Sequence, residues 1–488
     1  MPLRNLLLLV FCTAVSLAAW AAGDRGIHGR RFGEVLTLIQ RSALDPVDGD
    51  TLLNAAVEAA VAQLDEHSAF LPPAEQADLE AQLDQRFGGV GLQLAVDERS
   101  GLPLVVAPVA GSPADRAGIG PGDLIVAIDN AATGRSALRD AVQRLRGSQG
   151  TTVTVRVVPA SAAPRSFDPA SDPGADPGAR DVVLVREPVK MESVLGDRRR
   201  ADGSWEWEVV PGVALVRITS FGEHTATDLA TALASIERQP GLRGLVLDLR
   251  GNPGGLLSAA VEVCDQLLDE GVIVATRGRR SATGEAAVLD TRRAERGAAV
   301  AGVPVAVLID GLSASAAEIV AACLQDNRRA TIVGSRSFGK GTVQTLLPLA
   351  DDRGMLKLTT SEYLRPNAGT IHRRSGDGDE HGWGVQPDAG FEVTPTAAAL
   401  SRLRRWREAR DMPPGRHGSS QASAAAAVAP AEVDEVLAVA LEIFTAQYQG
   451  EERISWAPPR HVPRELTTGR TLSLALLRAE SVRGCPCP

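Results

Sequence analysis

An α/β architecture is predicted by three features of this 488-residue chain. Apolar strand-like and helix-like runs alternate from residue 213 onward, one such strand ends in a turn of small residues holding a serine, and a glycine-framed lysine follows 25 residues later. The runs at 213–218, 244–249 and 303–309 are short, apolar and rich in β-branched residues, as strands buried on both faces are. The intervening runs at 225–238 and 256–268 repeat their apolar residues at helical spacing. Strands that alternate with helices of this length form a largely parallel sheet.

The segments around this core follow in order. Residues 1–22 have the form of a cleaved export signal: Arg4 precedes an apolar run from Leu6 to Ala19, and Ala19-Trp20-Ala21 carries small residues at cleavage spacing. The run is short for a membrane span of about 20 residues. The mature chain is therefore expected to be exported, periplasmic and not membrane-spanning. Residues 23–85 form a helical region interrupted by a turn at Asp65-Glu66-His67-Ser68. Residues 86–188 alternate as short strands, with a Pro-, Ala-, Gly- and Asp-rich loop insertion at 159–180 whose composition cannot bury a core. The α/β core occupies 189–395. Residues 396–488 hold a basic helix (399–410), a linker (about 413–430), one amphipathic helix (431–448) and a tail without pattern.

Composition narrows the function. Aromatic residues make up only 3% of the chain, so the core is aliphatic, and a net charge of −9 argues against nucleic acid, which would need a clustered basic face. Cys264 and Cys323 fall on helices and read as small buried thiols. Cys485 and Cys487 are too few for a structural zinc site.

The chemistry concentrates in Ser315 and Lys340. Ser315-Ala316-Ala317-Glu318 fits a helix capping box, which is the structural reading of that serine. Its placement after a buried strand, between alanines, also suits a nucleophile at a strand-to-helix turn, where free N–H groups face developing negative charge. A serine hydroxyl needs a base. Lysine serves only when neutral, so its ordinary pKa of about 10.4 must fall through burial. Lys340, in Phe338-Gly339-Lys340-Gly341, is framed for that. Gly334 and Gly339-Lys340 imitate a phosphate loop, but Gly341 stands where a magnesium-binding Ser or Thr belongs and a strand follows rather than a helix. No histidine pair has zinc spacing, and the seven histidines all read as surface or turn residues. No cofactor or metal is called for. Asn252-Pro253-Gly254-Gly255 reads as a tight turn, and equally as half of an oxyanion hole, with a glycine N–H opposite the N–H of Ala316. Gly88-Gly89-Val90-Gly91-Leu92, followed by G-S-P-A-D-R-A-G and G-D-L-I-V-A-I-D, reads as a module that binds a peptide end by strand addition.

Six stretches, L-D-E-H-S-A-F-L, F-G-G-V-G-L-Q-L, G-S-P-A-D-R-A-G-I-G-P-G-D-L-I-V-A-I-D, L-D-L-R-G-N-P-G-G, S-A-S-A-A-E and F-G-K-G-T-V-Q, occur in this order across residues 60–395. Through them the chain resembles the C-terminal processing peptidases (tail-specific proteases, family S41). The resemblance implies a PDZ domain inserted into a crotonase/ClpP-like α/β protease core. It implies Ser315 as nucleophile and Lys340 as general base, with Gln344 or Asp326 orienting the lysine. It further implies protein substrates with free C-termini, with an adaptor protein and a homo-oligomer as possible partners. The insertion at 159–180 and an extended loop at 375–381 depart from the family pattern.

Overall fold

Four apolar runs become the parallel strands that carry the site. Val213–Ile218, Gly244–Asp248, Val305–Ile309 and Ala330–Gly334 lie side by side in that order, each parallel to the next. This computed structural model describes residues 26–97, 100–133, 138–160, 178–280, 286–295, 297–374, 376–378, 381–411 and 427–448. The expected export signal and the tail beyond 448 fall outside them, as does most of the 159–180 segment. The chain divides into a unit from Met1 to Phe444 and a second from Thr445 to Pro488. Among the described residues no helix is long and apolar enough to cross a membrane.

One face of the parallel sheet packs helices Thr225–Glu237, Leu257–Asp265 and Ala316–Asp326 through residues such as Leu229, Leu233, Val263 and Val320. Cys264 and Cys323 lie in this layer, buried and unbridged. The other face is covered by Val436, Leu437, Ala440 and Phe444. The amphipathic run expected as one helix is broken: Pro430–Val433 and Glu435–Tyr448 meet at Asp434, whose carboxylate accepts from Leu437 N at 3.0 Å. The same carboxylate grips both Arg250 Nη atoms, at 2.8 and 2.7 Å, and Arg250 also pairs with Asp248. Burial pushes the Asp434 carboxyl up, but Arg250 outweighs it and holds it at about 2. The turn after strand Gly244–Asp248 is thereby tied to the C-terminal helices.

A second, antiparallel sheet stands beside the core: Ala69–Leu71, Met355–Leu364, Val272–Arg280 and Ala286–Arg293, with Thr342–Pro348 also paired to Met355–Leu364. It joins the segment before the PDZ-like unit to the lysine loop. That unit contains a sheet in the order Leu92–Val96, Pro103–Pro108, Leu124–Ile128, Thr152–Val158 and Arg180–Val185, with helix Leu138–Leu145 packed on it. Leu92–Val96 is an edge strand, with one side open to an added strand.

Candidate active site

The serine turn is strained, and its neighbours hold it so. Ser315 has φ 55° and ψ −113°, not the β-region backbone of an ordinary N-cap, so capping alone does not explain it. Ser313, the first serine of S-A-S-A, is structural: its hydroxyl donates to Leu249 O at 2.8 Å and binds the two strand ends together. Ala314 N donates to Asn252 O at 2.9 Å. Gly254 packs directly onto this turn. A Cβ there would stand 2.8 Å from both Ala314 O and Ser315 Cβ, and φ is +100°, so only glycine fits.

The expected oxyanion groups separate on inspection. The Gly254 N–H is already spent on Asn252 Oδ1 at 2.8 Å, which corrects its candidacy. Gly255 continues beside Phe221 in a short parallel bridge that uses Gly254 O and Leu256 N and leaves the Gly255 N–H outside it. Ala316 N is one of the donors a helix start leaves unpaired. Neither the Gly255 N–H nor the Ala316 N–H thus has an acceptor among the described residues.

Glu318 joins the serine turn to the lysine loop. It is fully buried, and its Oε2 accepts from Ser315 N and Lys340 N, each at 2.8 Å. The two nitrogens therefore lie no further apart than twice that distance. Oε1 accepts from Ser337 Oγ and Gly339 N, each at 2.6 Å. Burial pushes the Glu318 carboxyl up, and these four hydrogen bonds pull the other way. The capping-box glutamate is legible in the sequence; its second role as a bridge is not, because the lysine loop lies 19 to 22 residues away.

Lys340 is half-buried, and its pKa is lowered, first by burial and then by the nearby Lys357, against the pull of Glu318. Two histidines read as surface residues come to this neighbourhood. The His67 imidazole is pushed down by burial and by Lys340, with His372 acting in the same sense. The backbone of His372 packs against Gly341. His67 was hidden because its motif lies more than 270 residues from the lysine. Tyr363 was missed as well. Its N–H donates to Gly341 O at 2.7 Å, and its phenol is raised to about 12 by burial, with the nearby Ser315 acting in the other sense. Among the described residues no hydrogen bond joins Lys340 Nζ to Ser315 Oγ. Unliganded sites commonly close such bonds only around substrate.

Of the two candidates for orienting the lysine, Gln344 stays beside the loop. It sits on strand Thr342–Pro348 at a β-bulge and donates to Thr342 Oγ1 and Thr359 Oγ1 at 2.9 and 3.3 Å. Asp326 is a correction. It ends the helix that Ser315 begins, 11 residues or about 16 Å away. Its carboxylate is engaged by Arg365, at 2.7 and 3.1 Å, with Asn367 as a further donor. It is held in a half-buried ion pair with Arg365.

In the PDZ-like unit, Gly88 and Gly89 pair with Pro188 and Glu187 in a ladder. Gly89, Val90, Gly91 and Leu92 line a cleft of about 440 Å³ that continues to Val142 and Leu145 on the helix. Gly88 precedes this cleft in the ladder with Pro188. A second, wider cleft runs past the lysine loop, bordered by His67, Phe338, Thr342, Thr359 and His372.

A strained serine at the end of a parallel strand, free N–H groups beside it and a lysine with depressed pKa define a serine-type hydrolase. Residues 212–390 match the model of peptidase family S41, and residues 104–159 that of the PDZ domain. The chain is 34% identical over 363 residues to a carboxy-terminal-processing protease of Bartonella bacilliformis, covering 73% of this chain and 74% of that protein. It is 34% identical to a carboxyl-terminal-processing protease of Synechocystis sp., covering 65% and 68%. Among solved structures it is similar to a photosystem II D1 C-terminal processing protease, at 28% identity and TM-score 0.41, over 78% of this chain and 92% of that one. The chain belongs to peptidase family S41. It is a serine-type peptidase of the C-terminal processing group with a PDZ domain, and it acts on proteins.

Proposed function

We propose that this protein is an exported, periplasmic endopeptidase that captures a substrate's free C-terminus on its PDZ domain and cuts with a Ser315–Lys340 dyad in a crotonase/ClpP-type core. The observation that carries this reading is Glu318, which accepts from the backbone N–H groups of Ser315 and Lys340 through one oxygen and so holds both loops together. Neutral Lys340 takes the Ser315 proton as Oγ bonds to the scissile carbonyl carbon. The N–H groups of Ala316 and Gly255 stabilise the oxyanion. The Lys340 ammonium then protonates the leaving amine. Water, deprotonated by the same lysine, hydrolyses the acyl-enzyme. Gln344 orients the lysine. The open edge of Leu92–Val96 receives the substrate strand, and the loop from Gly89 to Leu92 receives its carboxylate. Helix Ile27–Ser42 exposes Phe32, Val35 and Leu38, an apolar face that supports assembly with a second copy. An adaptor would need a surface of its own.

Two measurements test this. A fluorophosphonate probe should label Ser315. Amidating the C-terminus of a peptide substrate should raise KM about tenfold and leave kcat in place, since it removes a charge-assisted contact worth roughly 1.5 kcal/mol or more. Equal kcat/KM for acid and amide would reject terminal capture.

The depressed lysine sets the pH dependence. The base works deprotonated, so kcat/KM should rise with pH through the Lys340 pKa. Lys357 contributes to holding that pKa down. Lys357→Gln removes the like charge, raises the pKa, moves the limb toward higher pH and lowers the rate below the limb. A limb that stayed in place would mean that Lys340 is not the titrating base.

A further inference from the structure

The turn at 65–68 makes a hydrogen-bonded connection to the pair of strands that follows the lysine loop, a connection its sequence does not suggest. Asp65 Oδ1 accepts from His67 N, Ser68 N and Thr359 Oγ1, at 2.8, 2.9 and 3.0 Å, and Oδ2 accepts from Ser68 Oγ at 2.8 Å. Ser68 Oγ accepts in turn from Thr359 N at 3.1 Å. Strand Ala69–Leu71 then pairs with Met355–Lys357, which holds the turn against the same strand. Thr359 faces Gln344 across the ladder, and Gln344 Nε2 donates to its hydroxyl.

The direction of these bonds is dictated by chemistry. An ionised carboxylate only accepts. Partial burial raises the Asp65 carboxyl, but hydrogen bonds from Ser68, His67 and Thr359 outweigh it and leave it below its ordinary value. The single hydroxyl proton of Thr359 is therefore committed to Asp65. Toward Gln344 that oxygen has only a lone pair to offer, so the NH2 end of the amide must face it. The carbonyl end is left facing away from the threonine.

We propose that Asp65 is a positioning residue for the reaction: through the Thr359 hydroxyl it fixes the facing of the Gln344 amide, so that the amide oxygen is the end offered to the Lys340 amine. This rests on the reading of Lys340 as base with Gln344 as its partner. The motif before the PDZ domain is thereby a working part of a site whose other members lie after it. Mutation of Asp65 itself would also loosen the turn that its carboxylate caps. Thr359→Val is the cleaner variant, since it removes only the hydroxyl and leaves Asp65 its other three donors.

The test is a double-mutant cycle on the full chain, reading kcat and KM for a peptide substrate together with the rate of fluorophosphonate labelling. Thr359→Val should lower kcat and the labelling rate about tenfold with KM unchanged, and Thr359→Ser should restore both to within about twofold. In a Gln344→Ala background Thr359→Val should have no further effect, an outcome that a merely structural threonine would not produce. A wild-type kcat in Thr359→Val, or the same fold-loss in both backgrounds, would overturn the relay while leaving the dyad intact. If Gln344→Ala alone kept wild-type kcat, the orienting role of Gln344 would fall first, and the relay with it.

Discussion

Ser315→Ala and Lys340→Ala are each expected to lower cleavage of an unfolded protein by about 10⁴-fold or more, because nucleophile and base act as a unit and losing either removes the covalent route. The double variant should be hardly slower than either single one. Stability should change little in Lys340→Ala: its ammonium loses hydration in the fold, and its anchoring bond to Glu318 comes from the backbone N–H, which alanine keeps. Ser315→Ala keeps the backbone bond to Glu318 and removes one small hydroxyl. Circular dichroism and thermal melting separate a dead enzyme from an unfolded one. A folded Lys340→Ala that retained even a tenth of wild-type turnover would require another base, and His67 and His372 would be the nearest candidates.

Those two histidines mark the limit of what the sequence reveals. The parallel core is legible because its strands are buried on both faces and read as unbroken apolar runs such as Val305–Ile309. Ser315 and Lys340 are legible because a strand-to-helix serine and a glycine-framed lysine are local signals. The antiparallel sheet is much less so. The hairpin Val272–Arg280 with Ala286–Arg293 mixes arginines into its strands, and Ala69–Leu71 is too short to carry a period. That sheet brings His67, Thr359 and Tyr363 to the lysine. Pairing at such sequence separation leaves no trace in local spacing. Arg407 and Arg410, on a helix read only as basic, are in fact buried against Asp197, a partner some 210 residues earlier. Asp326 failed for the same reason: its position at a helix end is local information, but its partner Arg365 is not.

Glu318→Gln is expected to cost both stability and activity, and the reason is the direction of its hydrogen bonds. Three of the four donors are backbone N–H groups that cannot reverse. The fourth, the Ser337 hydroxyl, accepts from Val385 N at 2.7 Å and has a second lone pair with which it can accept from an amide. A glutamine amide has one accepting end. With its NH2 toward Ser337 it strands the Gly339 N–H; the other way round it strands those of Ser315 and Lys340. Even the better placement costs roughly 1–3 kcal/mol, partly offset because a buried charge no longer has to be desolvated. The sharper consequence is catalytic. The lysine loop loses its anchor at Gly339, and a base displaced by about 1 Å costs on the order of 100-fold in rate. Melting temperature and kcat, measured together on Glu318→Gln and on Glu318→Asp, check this. The aspartate keeps the charge but is one methylene short, so it should keep the acceptors, recover more stability than activity, and fall between wild type and glutamine in kcat. A Glu318→Gln variant with wild-type kcat would show that the two loops hold their places without the carboxylate, and the geometric case for the dyad would lose its main support.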